Sequence, residues 1–337
     1  MRAVVLVGGF GTRLRPLTDG IPKQMLPVGH SPMIEHVVSY LASYGIEQVI
    51  LSMGFRPEVF EGAYPEGQCL NIPLQYTIES EPLDTAGAIR YAIDQNGIDE
   101  TFLVFNGDVL TDLNIDQLVT SHRSSGAMAT IALTRVTDPG KYGVVSVDKS
   151  GKVCGFVEKP PSGEEPSNFI NAGVYVLEPA SLLRISSGVS ASIERQVFPE
   201  MCLEGSLFAK VFDGYWIDAG TPETYLAANI DLIGGNCRRT VDPIHYRAYV
   251  DRFARVEKSV IGDSARIAAG AEVTNSLVMA GASIGEGARV DQSIVASGAV
   301  VSNGAEVTGL TVLGFETFVS SNEKLDGAKR PAIEDQV

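Results

Sequence analysis

The sequence predicts an α/β protein with a doubly wound, mostly parallel sheet, followed by a parallel β-helix domain. In residues 1–236, short apolar and β-branched runs alternate with amphipathic helical patterns, which is typical of a parallel sheet with helices on both faces. Beyond Cys237, aliphatic residues recur every six residues and the pattern repeats every 17, which indicates a parallel β-helix. We therefore expect a first domain at 1–236, a β-helix domain at 237–325 and a loose tail at 326–337.

The first half of the chain supplies the central strands of the predicted sheet. Strands are expected at 4–7, 49–53, 74–78 and 102–105, and helices at 32–44, 58–64 and 85–95. Ligands of doubly wound sheets bind at the carboxyl ends of parallel strands. A glycine-rich turn, Glu79 and Asp108 each follow such an end, so we expect them to share one binding edge.

The segment after residue 125 changes character. Shorter strands are predicted at 130–134, 143–147, 153–158 and 173–177, forming a mixed or antiparallel layer. Strands at 208–213 and 215–217 then return to the sheet. A helix is predicted at 221–232, with Pro222 in its first turn and two glycines after it.

The C-terminal repeat predicts which side chains fill the β-helix. Three inward positions are expected in each coil, and their first members are Ile244, Val250 and Val256. The equivalents in later coils are Ile261, Val278, Val295 and Val312; Ile267, Ile284, Val301 and Phe318; and Val273, Val290 and Val307. The last coil carries Glu316 and Lys324 at or near inward places, so we expect it to be an imperfect capping coil.

Composition narrows the classes of partner and compartment. The chain has 337 residues, 45% of them hydrophobic, which is enough for two domains with sizeable cores. Its net charge of −15 makes nucleic acid and anionic membranes poor partners. The four cysteines form no CxxC pair, which favours reduced thiols in a cytoplasmic protein, and no segment is apolar enough to span a membrane.

The turn after the first strand is the main candidate binding element. Gly8, Gly9 and Gly11 let the backbone turn sharply, so that its N–H groups can face an anion. Arg13 and Lys23 add positive charge suited to phosphate oxygens. The spacing matches neither the dinucleotide fingerprint nor the common phosphate loop. An ordinary glycine-rich turn remains an alternative on the glycines alone.

The pattern Gly-Gly-x-Gly-Thr-Arg-Leu-x-Pro-Leu-Thr at 8–18, followed by Pro22-Lys23, resembles the signature of sugar-nucleotide pyrophosphorylases, also called sugar-1-phosphate nucleotidyltransferases. The resemblance implies a Rossmann-like catalytic domain and a left-handed β-helix. It also implies transfer of a nucleotidyl group from a nucleoside triphosphate to a sugar 1-phosphate, with release of pyrophosphate. The nucleotide-binding residues implied are Leu6, Gly8, Gly9, Gly11, Thr12, Arg13, Lys23, Glu79, Gly87 and Asp108.

The same resemblance implies a metal site and a catalytic set. Asp108 in NGD and Asp218 in WIDAGT match the family's two metal-binding aspartates, and carboxylates combined with phosphate oxygens suit Mg²⁺. The implied catalytic residues are Arg13, Lys23, Asp108 and Asp218. Read from the sequence alone, each aspartate could instead be a turn residue or a helix cap.

A third group of residues resembles the family's sugar-phosphate pocket. The motif Phe-Val-Glu-Lys-Pro at 156–160 resembles the family's F-x-E-K-P, in which the lysine contacts the sugar phosphate and the glutamate contacts sugar hydroxyls. The implied residues are Tyr142, Gly143, Glu158, Lys159, Asn171 and Gly173. A surface Glu-Lys pair, a turn and a strand start remain the alternatives.

Glu79 bears on the choice of base. Family members that use thymidine or uridine triphosphate usually have Gln there, whereas a carboxylate can accept the two adjacent donors of guanine. The runs at 79–83 and 192–195 also resemble mannose-1-phosphate guanylyltransferases, which implies GTP and mannose 1-phosphate as substrates. Against this, Glu79 could simply face solvent. Asp84 stands where the family generally has Gly, which places the affinity and base choice in question.

Other readings stay open at this point. The same chemistry could use another base or sugar, as in thymidylyl, uridylyl or adenylyl transfer to glucose 1-phosphate or guanylyl transfer to a heptose 1-phosphate. A non-catalytic regulatory subunit is disfavoured because Arg13, Lys23, Asp108 and Asp218 are present. An acyltransferase β-helix is disfavoured because no His follows His245. The exposed coil edge of the β-helix domain further predicts a homo-oligomer, with contacts through that domain.

Overall fold

The computed structural model describes residues 1–332. Its contacts divide the chain into two compact units that interleave along the sequence. The first unit contains Met1–Gly9 and Glu35–Trp216, and the second contains Phe10–Ile34 and the chain from Ile217 onward. The loop that carries Arg13 and Lys23 therefore belongs with the C-terminal part of the chain.

The elements of residues 1–236 follow the predicted α/β alternation. The strands are β1 (Arg2–Leu6), β2 (Pro27–Val28), β3 (Ser31–Pro32), β4 (Gln48–Met53), β5 (Gln68–Cys69), β6 (Ile72–Ile78), β7 (Phe102–Asn106), β8 (Val109–Thr111), β9 (Ala129–Arg135), β10 (Gly143–Val147), β11 (Val153–Glu158), β12 (Phe169–Leu177), β13 (Leu207–Val211) and β14 (Trp216–Asp218). The helices are α1 (Met33–Ala42), α2 (Pro57–Ala63), α3 (Asp84–Gln95), α4 (Ile115–Ser125), α5 (Phe198–Glu204) and α6 (Pro222–Gly234).

The first unit is built on one large sheet with the order β11-β10-β12-β7-β1-β4-β6-β5, in which β9 pairs with both β12 and β13. Strand β1 runs parallel to β4 and β7, and β4 runs parallel to β6. These strands are almost wholly buried because helices cover the sheet, which explains their continuous apolar runs. Strands β10, β11 and β12 pair antiparallel, which confirms the mixed layer predicted for this segment.

Parallel pairing brings four strand ends to one edge of this sheet. Leu6 at the end of β1 pairs with Ser52 and Asn106, and Met53 pairs with Ile78 at the end of β6. Residues that follow these ends, including Gly8, Glu79 and Asp108, consequently emerge on the same edge.

In the second unit, α6 anchors the segment around β2. The Tyr225 hydroxyl donates to the Pro27 carbonyl, and Asn229 Oδ1 accepts from the Gly29 backbone N–H at 2.8 Å. Asn229 is completely buried and also donates to the Tyr225 carbonyl. A polar side chain can be buried in this way because its hydrogen bonds are satisfied.

The rest of the second unit is a β-helix of three parallel five-stranded sheets, consistent with the left-handed kind. Its strands are β15 (Tyr249–Val250), β16 (Arg255–Glu257), β17 (Val260–Ile261), β18 (Arg266–Ile267), β19 (Glu272–Thr274), β20 (Leu277–Val278), β21 (Ser283–Ile284), β22 (Arg289–Asp291), β23 (Ile294–Val295), β24 (Val300–Val301), β25 (Glu306–Thr308), β26 (Val312–Leu313), β27 (Phe318–Val319), β28 (Lys324–Asp326) and β29 (Lys329–Arg330). Stacked aliphatic side chains fill its interior, as predicted.

The predicted register of the last coil is one residue off. Val295, Val301 and Val307 pair with Leu313, Val319 and Leu325, an offset of 18 rather than 17 residues. The extra residue is accommodated at a corner where Gly309 and Leu310 both have positive φ. Phe318 and Lys324, expected inward or nearly so, are consequently exposed.

Further features differ from expectation. Strand β14, expected to return to the large sheet, pairs with β8 in a separate two-stranded sheet. Helices α4 and α5 were not predicted. Ile244, expected inward, is 38% exposed because it precedes the first complete coil. Strands β28 and β29 continue the β-helix through Arg330, where a loose tail was expected from residue 326. Residues 333–337 of that tail lie outside the described residues.

Candidate active site

The nucleotide-binding candidates Leu6, Gly8 and Glu79 lie in the first unit. Leu6 ends β1, and its carbonyl accepts the Gly107 N–H at 3.0 Å. Gly8 follows, and a Cβ at this position would be 3.7 Å from Glu79 Oε1, whereas Gly9 is exposed. Glu79 is therefore close to the glycine turn.

Glu79 is half-buried and does not simply face solvent. Its Oε1 accepts from Ser52 Oγ at 3.1 Å and its Oε2 from the Leu83 backbone N–H at 3.0 Å. Burial raises the pKa of this carboxyl, and the two hydrogen bonds only partly oppose that shift. Each oxygen keeps a second lone pair, so the carboxylate can still accept from a ligand.

The turn into α3 explains Asp84. The residue has φ +56°, in the left-handed region that glycine occupies most easily, and its Oδ1 accepts from the Thr85 N–H at 2.7 Å. Asp tolerates this conformation better than most residues because its side chain can bond locally. Gly87 follows one turn later, and its N–H donates to the Ala191 carbonyl, so that group is already used within the protein.

Asp108 lies in the turn between β7 and β8, half-buried. The N-cap of the next helix, α4, is Asn114, whose side chain accepts from the Gln117 N–H. Asp108 is therefore a turn residue at the binding edge and not a helix cap.

The residues expected in the sugar-phosphate pocket lie in and around strands β10, β11 and β12 of the first unit. The rings of Tyr142 and Trp216 meet edge to face with centroids 5.4 Å apart. Gly143 pairs with Glu158 across β10 and β11, and Lys159 Nζ lies 3.4 Å from Glu158 Oε1. Lys159 is exposed and has φ +48°, a backbone strain that is more frequent at functional sites.

An irregularity in strand β12 positions Asn171 and Gly173, the other two residues expected in the sugar-phosphate pocket. The β9–β12 register shifts between Asn171 and Tyr175, and Gly173 in between has φ +72°. Asn171 donates to the Tyr175 hydroxyl at 2.8 Å and accepts the Gly173 N–H at 2.9 Å. A side chain at Gly173 would collide with Asn106 at the end of β7.

The nucleotide-binding candidates Gly11, Arg13 and Lys23 lie in the second unit. Gly11 has φ +62° and opens the short helical turn Thr12–Leu14, and its carbonyl accepts from Thr18 Oγ1 at 2.8 Å. A Cβ on Gly11 would be 3.4 Å from Lys23 Cβ. The turn therefore fits closely against the backbone that carries Lys23.

Arg13 and Asp218 meet at Gly220 within the same unit. The Arg13 Nη2 and Asp218 Oδ1 atoms both lie 2.7 Å from the place a Gly220 Cβ would occupy. Thr221, three residues after Asp218, caps helix α6 and accepts from the Thr224 N–H. Asp218 is consequently not the cap that its sequence position allowed.

Each aspartate supplies the oxygen ligand that a hard divalent cation takes together with phosphate oxygens. Within residues 1–332, no three or more His, Cys, Asp and Glu side chains gather as a self-sufficient metal site. One or two carboxylates that complete their coordination with substrate phosphates and water are what Mg²⁺ uses in phosphoryl chemistry. Asp218 Oδ1 is shielded from solvent and lies near the Arg13 guanidinium, beside Gly220.

Several residues of the site were not found from the sequence. Ser52 holds Glu79 by donating to its carboxylate. The Ala172 carbonyl holds Trp216 by accepting its indole N–H at 2.9 Å. Glu194 accepts from Thr85 Oγ1 at 2.7 Å and from Ser192 Oγ at 3.0 Å, which ties the start of α3 to a π-helical turn at Ile193–Val197. Burial raises the pKa of Glu194. The motif at 192–195 resembles that of mannose-1-phosphate guanylyltransferases, but nothing in it indicates Thr85 as a partner.

Two families cover the chain. Residues 2–234 match the Nucleotidyl transferase family, and residues 241–329 match the GMPPB C-terminal domain. Within the described residues, no helix is both long and apolar enough to cross a membrane.

Individual proteins agree with these matches. A mannose-1-phosphate guanylyltransferase of Mycobacterium tuberculosis is 43% identical over 235 residues, which are 69% of this chain and 65% of that protein. A mannose-1-phosphate guanyltransferase of Aspergillus fumigatus is 40% identical over 230 residues, 67% of this chain and 62% of that protein. The chain thus matches slightly less than two thirds of these relatives' lengths. The crystal structure of HddC from Yersinia pseudotuberculosis complexed with GMP-PN is 29% identical, with TM-score 0.59, and the match covers 68% of this chain and 97% of that one.

Proposed function

Since the chain belongs to the Nucleotidyl transferase family, we propose that it transfers guanylyl from GTP to mannose 1-phosphate, giving GDP-mannose and pyrophosphate. The choice of GTP rests on the position of Glu79, a half-buried carboxylate beside Gly8 at the binding edge of the sheet. The relatives named as mannose-1-phosphate guanylyltransferases support the choice of sugar.

In the proposed reaction, a phosphate oxygen of the sugar 1-phosphate attacks the α-phosphorus of GTP. The new P–O bond forms as the bond between the α-phosphorus and its bridging oxygen breaks, and pyrophosphate leaves. The attacking phosphate is already anionic at neutral pH, so no general base is required. Catalysis then consists of positioning and charge neutralisation.

Each group of residues has a part in this reaction. Arg13 binds the leaving pyrophosphate, and Lys23 neutralises charge at the α-phosphate. Lys159 orients the attacking phosphate, while Glu158 and the main chain around Asn171 and Gly173 hold the sugar hydroxyls. Positive charge aimed at developing negative charge is the usual source of rate enhancement in phosphoryl transfer.

The family generally uses divalent metal ions, and we propose Mg²⁺ held by Asp108 and Asp218. When bound, the ion neutralises phosphate charge and orients the triphosphate. We also keep three broader proposals from the sequence: a domain boundary near residue 236, a cytoplasmic location and a homo-oligomer. Matches to separate families at 2–234 and 241–329 support the boundary, and four cysteines that form no CxxC pair agree with a reducing compartment.

The test is a panel of GTP, ATP, UTP and dTTP against mannose, glucose and heptose 1-phosphates, followed by pyrophosphate release. We expect GTP with mannose 1-phosphate to give the highest kcat/KM, by about 10³-fold or more over other bases, because a mismatched base leaves buried polar groups unpaired. Preference for dTTP or ATP would reject guanine recognition and leave the broader reaction. No turnover with any pair would favour a regulatory subunit.

The same panel on two variants tests Glu79 itself. Glu79→Gln should reduce kcat/KM for GTP by an amount equivalent to roughly 1.5–3 kcal/mol, the value of a hydrogen bond to a charged group. It should also narrow the difference in kcat/KM between GTP and UTP or dTTP. Ser52→Ala is the matched control, since it removes a protein donor to Glu79 but keeps the carboxylate. An unchanged base ranking in Glu79→Gln would show that Glu79 only ties the strand ends together.

A further inference from the structure

The last coil of the β-helix contacts the loop that carries Arg13, and both belong to the second unit. Lys329 Nζ donates to the Arg13 carbonyl at 3.4 Å. At the neighbouring corner, a Cβ on Gly314 would lie 3.2 Å from Pro16 Cγ, so the coil backbone approaches this proline directly. The contact therefore combines one polar bond with close apolar packing, although 316 residues separate Lys329 from Arg13 in sequence.

The coil is well held on its own side of this contact. Lys329 and Arg330 pair with Val312 and Leu313 of the preceding coil, and the Gly314 N–H donates to the Arg330 carbonyl at 2.7 Å. The Arg330 guanidinium donates to Glu323 Oε1 at 2.6 Å, and this bond holds the pKa of the Glu323 carboxyl below its usual value. Because the terminal coil is anchored by these bonds, it can restrict the position of the loop residues that it contacts.

The loop is held at several points but leaves the Arg13 side chain exposed. Leu14 and Leu17 are completely buried, and Thr18 bonds the Gly11 carbonyl. Arg13 points its guanidinium toward the Asp218–Gly220 turn while its carbonyl accepts from Lys329. The backbone bond to Lys329 therefore limits where that guanidinium can go.

We propose that the terminal coil, residues 312–331, is a positioning element for the phosphate-binding loop, and that Lys329 is a positioning residue for Arg13. The β-helix then contributes to binding of the triphosphate as well as to folding. This proposal rests on the proposed function only in the identity of the ligand that Arg13 holds. The loop contact itself can be measured without turnover.

The test compares three full-length variants with the wild-type protein. Lys329→Met removes the donor, and Lys329→Arg restores one. Lys324→Met is the matched control, because Lys324 is an exposed lysine of the same coil whose Nζ pairs with Glu306 at 2.7 Å. Both lysines changed are at the surface, so we expect melting temperatures like that of the wild type.

The first readout is amide hydrogen exchange of peptides covering residues 10–19, followed by mass spectrometry without substrates. We expect faster exchange in Lys329→Met, and wild-type rates in Lys329→Arg and Lys324→Met. Unchanged exchange in Lys329→Met would overturn the proposal, whatever the enzyme's substrates prove to be.

The second readout separates the two substrates. Lys329→Met should raise KM for the triphosphate, and the inhibition constant for pyrophosphate, by about 3- to 10-fold, the size expected for one hydrogen bond. KM for the sugar 1-phosphate should not change, because Lys159 lies in the other unit. An equal rise in both KM values, or no rescue by Lys329→Arg, would also overturn the positioning role. If the wild-type protein shows no turnover, the proposed function fails while the exchange measurement still decides this inference.

Discussion

Asp84 shows how one residue can carry both a conformational cost and a charge effect. Its left-handed backbone costs a non-glycine residue about 1 kcal/mol, part of which the local bond to Thr85 offsets. Asp84→Gly should therefore leave the free energy of unfolding unchanged or raise it by up to about 1 kcal/mol, since glycine also costs entropy. Asp84→Ala should lower it by about 1 kcal/mol. Urea denaturation measures these differences.

Asp84→Asn separates conformation from charge. Asn adopts the left-handed region readily, so its stability should match that of the wild type. If the carboxylate repels the triphosphate or base, KM for GTP should fall in both the Asn and the Gly variants. A KM that falls only in Asp84→Gly would instead assign the effect to backbone freedom.

The two aspartates proposed for the metal should be sensitive to loss of charge alone. Asp108→Asn and Asp218→Asn keep the side-chain size but should each lower kcat by about 10²-fold or more, the scale of removing one preorganised charge-stabilising group. Circular dichroism should show unchanged folding. Asp116→Asn, on the exposed first turn of α4, is the control. Full activity of both variants at limiting Mg²⁺ would end the assignment.

At this scale, short motifs indicate which residues are candidates for the site but not which residues hold them in place. The signature at 8–23 and the aspartates could be recognised because their spacing is local. The partners Ser52 for Glu79, Ala172 for Trp216 and Thr85 for Glu194 are 27, 44 and 109 residues away in sequence. Such pairings depend on how strands are ordered in the sheet, and a single sequence does not contain that order.

Among the elements, those with long apolar runs were predicted, whereas helix α4, which is marked mainly by its caps, was missed. Helix α4 has only four buried residues, but Asn114 caps its start and Gly126 ends it in the left-handed conformation. These capping signals were readable. The one-residue shift in the last coil of the β-helix was hidden because Val312 and Leu313 are both apolar and both buried. Exposure of Phe318 is what distinguishes the two registers.

Helix α4 also contains a buried histidine, and its hydrogen bonds predict how the stability of the fold depends on pH. His122 bonds Thr130 Oγ1 at 2.9 Å and Glu178 Oε1 at 3.1 Å, and Thr101 donates to the same oxygen at 2.6 Å. Burial opposes ionisation of Glu178, but the bonds from Thr101 and His122 outweigh it and hold the pKa of the carboxyl below its ordinary value. The ionised carboxylate therefore stabilises the fold above that ordinary value, and the contribution is lost as pH falls through the folded-state pKa.

Glu178→Gln tests this sign. The variant should be less stable than the wild type at pH 7 by about 1 kcal/mol, which is less than a fully buried charged bond would give because the Glu178 side chain is 34% exposed. The difference should shrink in acid, as the wild-type carboxyl is protonated. Free energies of unfolding from urea titrations at several pH values provide the comparison. A difference that grows on acidification would contradict the argument.

Over the whole molecule, the compact units do not follow the order of the chain, because each unit combines segments that are far apart in sequence. The sequence places one boundary near residue 236, whereas the contacts join Phe10–Ile34 to the C-terminal part of the chain. The segment Phe10–Ile34 is therefore packed with α6 and the β-helix, through hydrogen bonds with Tyr225, Asn229 and Lys329. Local patterns cannot reveal this arrangement, because each bond joins the loop to a residue about 200 or more positions later.

The proposed homo-oligomer makes a prediction about the first coils of the β-helix. Tyr246 and Phe253 are 86% and 67% exposed, and the guanidinium groups of Arg247 and Arg252 lie over their rings. Exposed aromatic and arginine side chains are the residue types enriched at protein interfaces. If these coils join copies of the chain, Tyr246→Ser with Phe253→Ser should lower the mass measured by light scattering toward that of one chain. Leu203→Ser is the control, because Leu203 is 90% exposed on α5, outside the β-helix. An oligomer that persists in the double variant would place its contacts elsewhere, and a wild-type mass equal to one chain would reject the oligomer itself.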